Sequence, residues 1–155
     1  MNLNTIKNGA KYIFLSELQD TGNVGTIIRT ADALGLDGVI LGKNTCDVFS
    51  LKVLRSSMGS VFHIDLYQSE DPVEDLRRLS QSFETYAAVL DEQAKSLEEI
   101  SFEKGSIAVI GNEGNGLSKE VIDVCSQKVF IPMKGRAESF NAGVAAGILI
   151  WEMAK

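Results

Sequence analysis

Short apolar runs alternate with amphipathic stretches along this chain. The runs Tyr12–Leu15, Gly38–Leu41, Val61–Leu66, Thr85–Leu90, Ile107–Ile110 and Lys128–Ile131 are rich in Val, Ile and Phe, and most of them lead into Gly, Asp or Ser. They are predicted as strands. Between them, Val24, Ile27, Ile28, Ala31 and Leu34 recur at helical spacing, with Asn23 as a candidate cap. Arg29 lies one step off that stripe and is free to face a cleft. Asp47 or Ser50 is placed to cap a helix reaching about Met58. Pro72 fits the first turn of a helix through Leu79, capped by Asp71, with Val73, Leu76 and Leu79 inward. Ser118 is placed to cap a helix reaching Cys125. Strands alternating with helices imply βαβ units: an α/β fold with a mostly parallel sheet flanked by helices.

The last element differs. From Ala142 to Trp151 nearly every position is apolar or Gly, within a helix spanning about Asn141 to Met153. A helix apolar all round is buried on all sides. In so small a domain, one side is expected to lie against a second subunit, giving a homodimer; the alternative is a helix threaded through its own core.

A chain of 155 residues forms one core. We expect residues 11–155 as the domain and residues 1–10 as an N-terminal tail or linker remnant. The net charge of −6 is awkward for a nucleic-acid protein, because Lys and Arg contacts to phosphate supply most non-specific affinity. RNA contact therefore requires a local basic patch, for which Arg29, Lys52 with Arg55, and Lys134 with Arg136 are candidates. Each taken alone is equally a solvated surface charge. Cys46, Cys125 and His63 have no metal-ligand spacing, so no metal is expected. Two cysteines, one of them (Cys125) in an apolar helical pattern, point to free thiols in a reducing compartment. The N-terminus has no apolar signal core, and the longest apolar run is far short of the roughly 20 residues that span a bilayer. A cytoplasmic protein without membrane contact is expected.

Three segments place Gly, Asn, Ser or a lone charge at the edges of apolar runs, where α/β proteins build ligand sites. The first is Asn23-Val24-Gly25-Thr26-Ile27-Ile28-Arg29. The second, Gly111-Asn112-Glu113-Gly114-Asn115-Gly116-Leu117-Ser118, joins a strand to a capped helix. Its glycines let backbone N–H groups approach a ligand closely. It matches neither the P-loop nor the dinucleotide-binding pattern. Glu113 would repel a phosphate, so a neutral or cationic ligand fits better; an ordinary Gly-rich turn is the structural alternative. The third runs from Ile131-Pro132-Met133-Lys134-Gly135 to Glu138-Ser139-Phe140-Asn141 and opens the final helix, for which Ser139 or Asn141 is a candidate N-cap.

Taken together, these segments resemble the three motifs of the SpoU (TrmH-like) family of RNA ribose 2′-O-methyltransferases, in the SPOUT superfamily. The Asn-to-Arg spacing of the first motif is kept by Asn23 and Arg29. Gly111–Ser118 follows the second motif and Ile131–Asn141 the third. Arg55-Ser56-Ser57-Met58-Gly59 is similar to the family's Arg-x-Ser-x-Gly segment. Phe140 stands where Leu is usual, and Ala142-Gly143 where Val-Ser is common.

The resemblance implies a C-terminal trefoil knot, S-adenosylmethionine as cofactor, an RNA substrate and a site assembled at a dimer interface. It implies methylation of a ribose 2′-hydroxyl, with Arg29, Asn23, Glu113, Ser139 and Asn141 catalytic. Gly111, Asn112, Gly114, Ile131, Met133, Ser139 and Phe140 would hold the cofactor, and Arg29, Arg55, Lys134 and Arg136 would contact RNA. Arg29 is expected as an electrostatic stabiliser rather than a base, since a guanidinium does not deprotonate in proteins. The wording around Ala137-Glu138-Ser139 and Trp151-Glu152-Met153 is closer to longer members acting on rRNA than to minimal tRNA enzymes. The rival expectations are a non-catalytic RNA-binding or assembly module on the same fold, and a base-modifying relative.

Overall fold

A computed structural model describes residues 1–155. In chain order the elements are β1 (Lys11–Leu15), α1 (Thr21–Ala33), β2 (Gly38–Gly42), α2 (Leu51–Ser56), β3 (Asp65–Ser69) and α3 (Pro72–Leu79). They continue as β4 (Glu84–Ala88), β5 (Lys95–Ser96), β6 (Ser106–Ile110), α4 (Lys119–Val124), β7 (Gln127–Phe130) and α5 (Ala142–Met153). The sheet order is β3-β2-β1-β6-β4-β7-β5, and every strand pairing is parallel.

Strand periodicity divides the core in two. Ile13, Leu15, Val39, Leu41, Ala108 and Ile110 point to the face covered by α1, α2 and α5. Tyr12, Phe14, Ile40, Ile107 and Val109 point to the face covered by α3 and α4. Central strands buried on both sides are why these runs are continuously apolar rather than alternating.

The local signals act as their chemistry requires. Asp71 accepts from the Glu74 N–H ahead of Pro72. Ser50 rather than Asp47 caps α2, Ser118 caps α4, and Asn141 caps α5. Helix α1 begins earlier than its apolar stripe: Asp20, not Asn23, is the cap, accepting from the Asn23 N–H at 2.8 Å.

The strand expected at Val61–Leu66 is displaced to Asp65–Ser69. Met58 (φ 51°) and Gly59 (φ 84°) turn the chain through the left-handed region, and Ser60–Phe62 follows as a 3₁₀ turn, so pairing begins only after Ile64. Strand β5 carries no apolar run and was not expected. Residues 1–10 pack against the sheet. Leu3 is buried, and the Met1 ammonium donates to the Leu66 carbonyl on the outer edge of the sheet.

Helix α5 packs on α1 and β6 through Ala146, Leu149, Ile150 and Met153. It is not enclosed on all sides: Val144 is 51% exposed and Trp151 59%. No helix is long and apolar enough to cross a membrane.

Candidate active site

The parallel sheet presents the carboxyl ends of β1, β4, β6 and β7 at one edge, and each continues into a loop there. Ligands bind at this end of open α/β sheets. A cavity of about 420 Å³ lies among the loops after β4, β6 and β7, closed on one side by the start of α5. All seven residues expected to hold a cofactor line it, namely Gly111, Asn112, Gly114, Ile131, Met133, Ser139 and Phe140, together with Glu113.

The loop after β6 is closed on itself. Asn112 and Gly116 exchange backbone hydrogen bonds at 3.1 and 2.9 Å, and the Asn112 Oδ1 accepts from the N–H groups of Gly114 and Asn115. Gly111 lies so near the returning limb of the loop that a Cβ there would stand 2.3 Å from the Gly116 carbonyl carbon. A side chain is therefore excluded at this position.

This loop also holds the loop after β1. The Asn112 Nδ2 donates to the Glu17 carbonyl at 2.9 Å, and Glu17 is itself left-handed (φ 61°). The Glu113 carboxylate accepts from the N–H groups of Gln19 and Asp20. Both side chains thus engage backbone at the entrance to α1, a contact that motif spacing alone does not reveal. Asn23, in the first turn of α1, faces the first turn of α5: its Oδ1 is 3.1 Å from where a Gly143 Cβ would be. A side chain at position 143 would require the Asn23 and Asn141 side-chain oxygens to give way by a few tenths of an ångström. Asn141 uses its Oδ1 to cap α5, accepting from Gly143 and Val144.

Arg29 is exposed on α1 and pairs with neither Asp20 nor Asp32. Asp20 is occupied as a cap, and the Asp32 carboxylate is 3.7 Å from His63 Nδ1. Arg29, Asn23 and Asn141 do not line the cavity. Of the other candidate RNA contacts, Arg55 is exposed at the end of α2, and Lys134 and Arg136 are exposed on the loop after β7. No group of three or more His, Cys, Asp or Glu side chains is placed to hold a metal ion.

Glu113 is the one carboxylate in the cavity wall. The Cys46 thiol is pushed above its ordinary range first by burial, then by the carboxylates of Glu113, Asp20 and Asp47. The cavity walls also include Ala88, Val89 and Leu90 after β4, with Leu117, Ile122 and Ala145. Sequence reasoning did not single these out, because only the placement of β4 between β6 and β7 brings them to the site. The sole hint was that the apolar run ends in Leu90, which is well exposed.

A family model described as the SpoU rRNA Methylase family matches residues 10–151. The 23S rRNA (guanosine(2553)-2′-O)-methyltransferase RlmP of Bacillus subtilis (strain 168) is 38% identical over 145 residues, covering 92% of this chain and 57% of that protein. The AdoMet-bound rRNA methyltransferase from Sinorhizobium meliloti superposes with a TM-score of 0.88 at 37% identity, over 99% of this chain and 59% of that one. A putative RNA methyltransferase of the TrmH family from Porphyromonas gingivalis gives 0.86 at 37% identity, over 95% and 60%. The chain thus spans rather more than half the length of these relatives. Matched by the family model over residues 10–151 and by a relative 38% identical over 92% of its length, the chain belongs to the SpoU rRNA methylase family.

Proposed function

We propose that this chain methylates a ribose 2′-hydroxyl in RNA using S-adenosylmethionine, with rRNA favoured over tRNA. The observation that carries this is the link between the cavity and the arginine helix: the glycine-rich wall of the cavity is hydrogen-bonded through Asn112 and Glu113 to the entrance of α1.

The cavity suits the cofactor. Its volume of about 420 Å³ falls in the range of small-molecule sites. Leu90, Ile131, Met133 and Phe140 offer apolar walls for adenine, and the tightly closed Gly111–Gly116 loop offers backbone groups to its edge. The Glu113 carboxylate in the wall is compatible with a sulfonium and an ammonium. When bound, S-adenosylmethionine supplies an electrophilic methyl group on sulfur and leaves as a neutral thioether, so no general acid is required.

The tasks left to the protein are orientation, proton removal and stabilisation of a developing alkoxide. Arg29, free of any carboxylate partner, is assigned the last of these as a cation, and the hydroxyl proton passes to a phosphate of the RNA substrate. Asn23, Ser139 and Asn141 are assigned to orienting the ribose and the turn around it, and Lys134 and Arg136 to backbone phosphates. We further assign a homodimer closed over the open face of α5, the family's trefoil knot in the C-terminal segment, and a cytoplasmic location.

Labelled S-adenosylmethionine incubated with unmodified bulk rRNA and tRNA, followed by digestion to nucleosides, tests the reaction. A 2′-O-methylated nucleoside is expected. Cofactor binding without transfer to any RNA would instead favour a non-catalytic RNA-binding module.

A further inference from the structure

Residues 49–62 form a surface that the methyl-transfer chemistry does not use. Phe49, Leu51, Met58 and Phe62 are 61%, 69%, 68% and 72% exposed. Their neighbours Val53, Ser57, Ser60 and Val61 are buried, so the segment is anchored and its apolar side chains stand outward by construction. Leu51, Arg55 and Met58 follow one another at i, i+4 and i+7, and Lys52 and Arg55 are exposed between the apolar groups. From Lys43 to His63 the chain carries three Lys or Arg and a single carboxylate, Asp47, within a protein of net charge −6.

The segment is clamped to α1 at both ends. Gly25 lies so close to α2 that a Cβ would stand 1.7 Å from Ser56 Oγ, and Ser56 Oγ donates to the Thr21 carbonyl at 3.0 Å. At the other end, His63 reaches Asp32. Gly25, Arg29 and Asp32 share one helical stripe at i, i+4 and i+7. Arg29 therefore lies on the side of α1 that the Ser56–His63 segment covers, between the two clamps. The two clamps thus bracket the helix position of the residue assigned to the developing alkoxide.

We infer that Phe49, Met58 and Phe62, with Lys52 and Arg55, form a platform on which unpaired bases flanking the target nucleotide stack while the cations hold their phosphates. This rests on the RNA reading of the site and extends it to the path of the strand. Aromatic faces alternating with cations are the means by which proteins hold single strands without sequence readout. A second copy of the chain is the poorer occupant: the open face of α5, with Val144 and Trp151, is apolar without cations, whereas this surface is complementary to a polyanion.

The test uses fluorescein-labelled single-stranded oligouridine, and the same oligomer carrying 4-thiouridine for photocrosslinking. Phe49→Ala and Phe62→Ala remove exposed rings, so thermal melting should be unchanged. Each is expected to weaken oligouridine binding by about tenfold at fixed salt. Phe62→Tyr should retain affinity, S-adenosylmethionine affinity should hold in all variants, and crosslinks should map within residues 49–63. Unchanged affinity in the double alanine variant, or crosslinks confined to the Lys134–Arg136 loop, would overturn the platform. So would a dimer-to-monomer shift in sedimentation with RNA affinity per protomer intact. Oligouridine binding that these variants weaken, in a protein that methylates no RNA, would overturn the methyltransferase reading and leave the platform standing. Methylation unaffected by the double variant would do the reverse, and absence of RNA binding by the unaltered protein would overturn both.

Discussion

The Glu113 carboxylate accepts a hydrogen bond from the Asp20 N–H at 3.0 Å, and Asp20 is the N-cap of α1. A residue of the cavity wall thereby fixes where the helix bearing Arg29 begins. The carboxylate also sits at the positive end of that helix dipole. Glu113→Ala should cost about 1–3 kcal/mol and raise hydrogen exchange at residues 19–24. Methyl transfer should fall more than cofactor affinity. Glu113→Gln keeps an acceptor and should recover most of the loss; unchanged exchange at residues 19–24 in the alanine variant would refute the coupling.

Gly25 marks the closest approach of α1 and α2. Its absent Cβ leaves room for the Ser56 side chain and part of its backbone. Gly25→Ala should destabilise by about 1–3 kcal/mol through overpacking. Ser56→Gly in the same chain should restore only part, because the Ser56 carbonyl carbon would still stand at 2.9 Å. Denaturant melts of the two single variants and the double variant decide this; full restoration would contradict a backbone clash.

Arg29 and Gly111 should fail in different ways. Arg29→Ala removes an exposed cation outside the cavity, so methylation should be lost with cofactor affinity nearly intact. Gly111→Ala already places a methyl group 2.3 Å from the Gly116 carbonyl carbon and should abolish cofactor binding as well. Calorimetry with S-adenosylmethionine separates them. Equal loss of affinity in both would remove Arg29 from its assigned role.

Much of this was legible in the chain. The caps Asp71, Ser118 and Asn141 act within a few residues of themselves, so local chemistry sufficed to place them. The convergence of Gly111 and Met133 on one cavity was visible only through motif resemblance, since their strands are separated by β4. The cap of α1 was misplaced because the apolar stripe begins at Val24 while Asp20 lies a full turn earlier. The displaced β3 has a related cause: Val61 is apolar and buried, yet its backbone belongs to a turn set by Met58 and Gly59. Apolar patterning reports burial, and burial here did not coincide with strand pairing. The roles of Asn112 and Glu113 in holding the β1 loop depend on the neighbouring of β1 and β6, which no local pattern encodes.

Burial pushes the Cys125 thiol up to about 11, partly opposed by a hydrogen bond with Thr85. The unfolded thiol ionises near its ordinary value of 9.0. Folding then favours the protonated form, so stability is full below pH 9 and declines as pH rises toward 11, by on the order of 2–3 kcal/mol. Tyr67 and Tyr86 are shifted upward by burial as well and add to the alkaline loss. The difference between the unaltered protein and Cys125→Ala across this window isolates the thiol; parallel curves would refute the shift.

Val144 and Trp151 lie on the open side of α5. Trp151→Glu should convert a dimer to monomers in sedimentation at micromolar concentration, with the monomer still folded because the residue lies outside the core. A sedimentation profile unchanged by the substitution would place the dimer contact elsewhere.

Every strand pairing in the sheet is parallel, and β1 lies between β2 and β6. β1, β2 and β3 are synthesised before β6, and the edge of β1 that receives β6 stays vacant until β6 has emerged. Non-local parallel pairing is slow to form and exposes sticky edges meanwhile. The nascent chain therefore carries one open edge of the strand Tyr12-Ile13-Phe14-Leu15 until β6 has emerged. Expression yield should depend on how that strand is shielded on the ribosome more than on the stability of the finished fold.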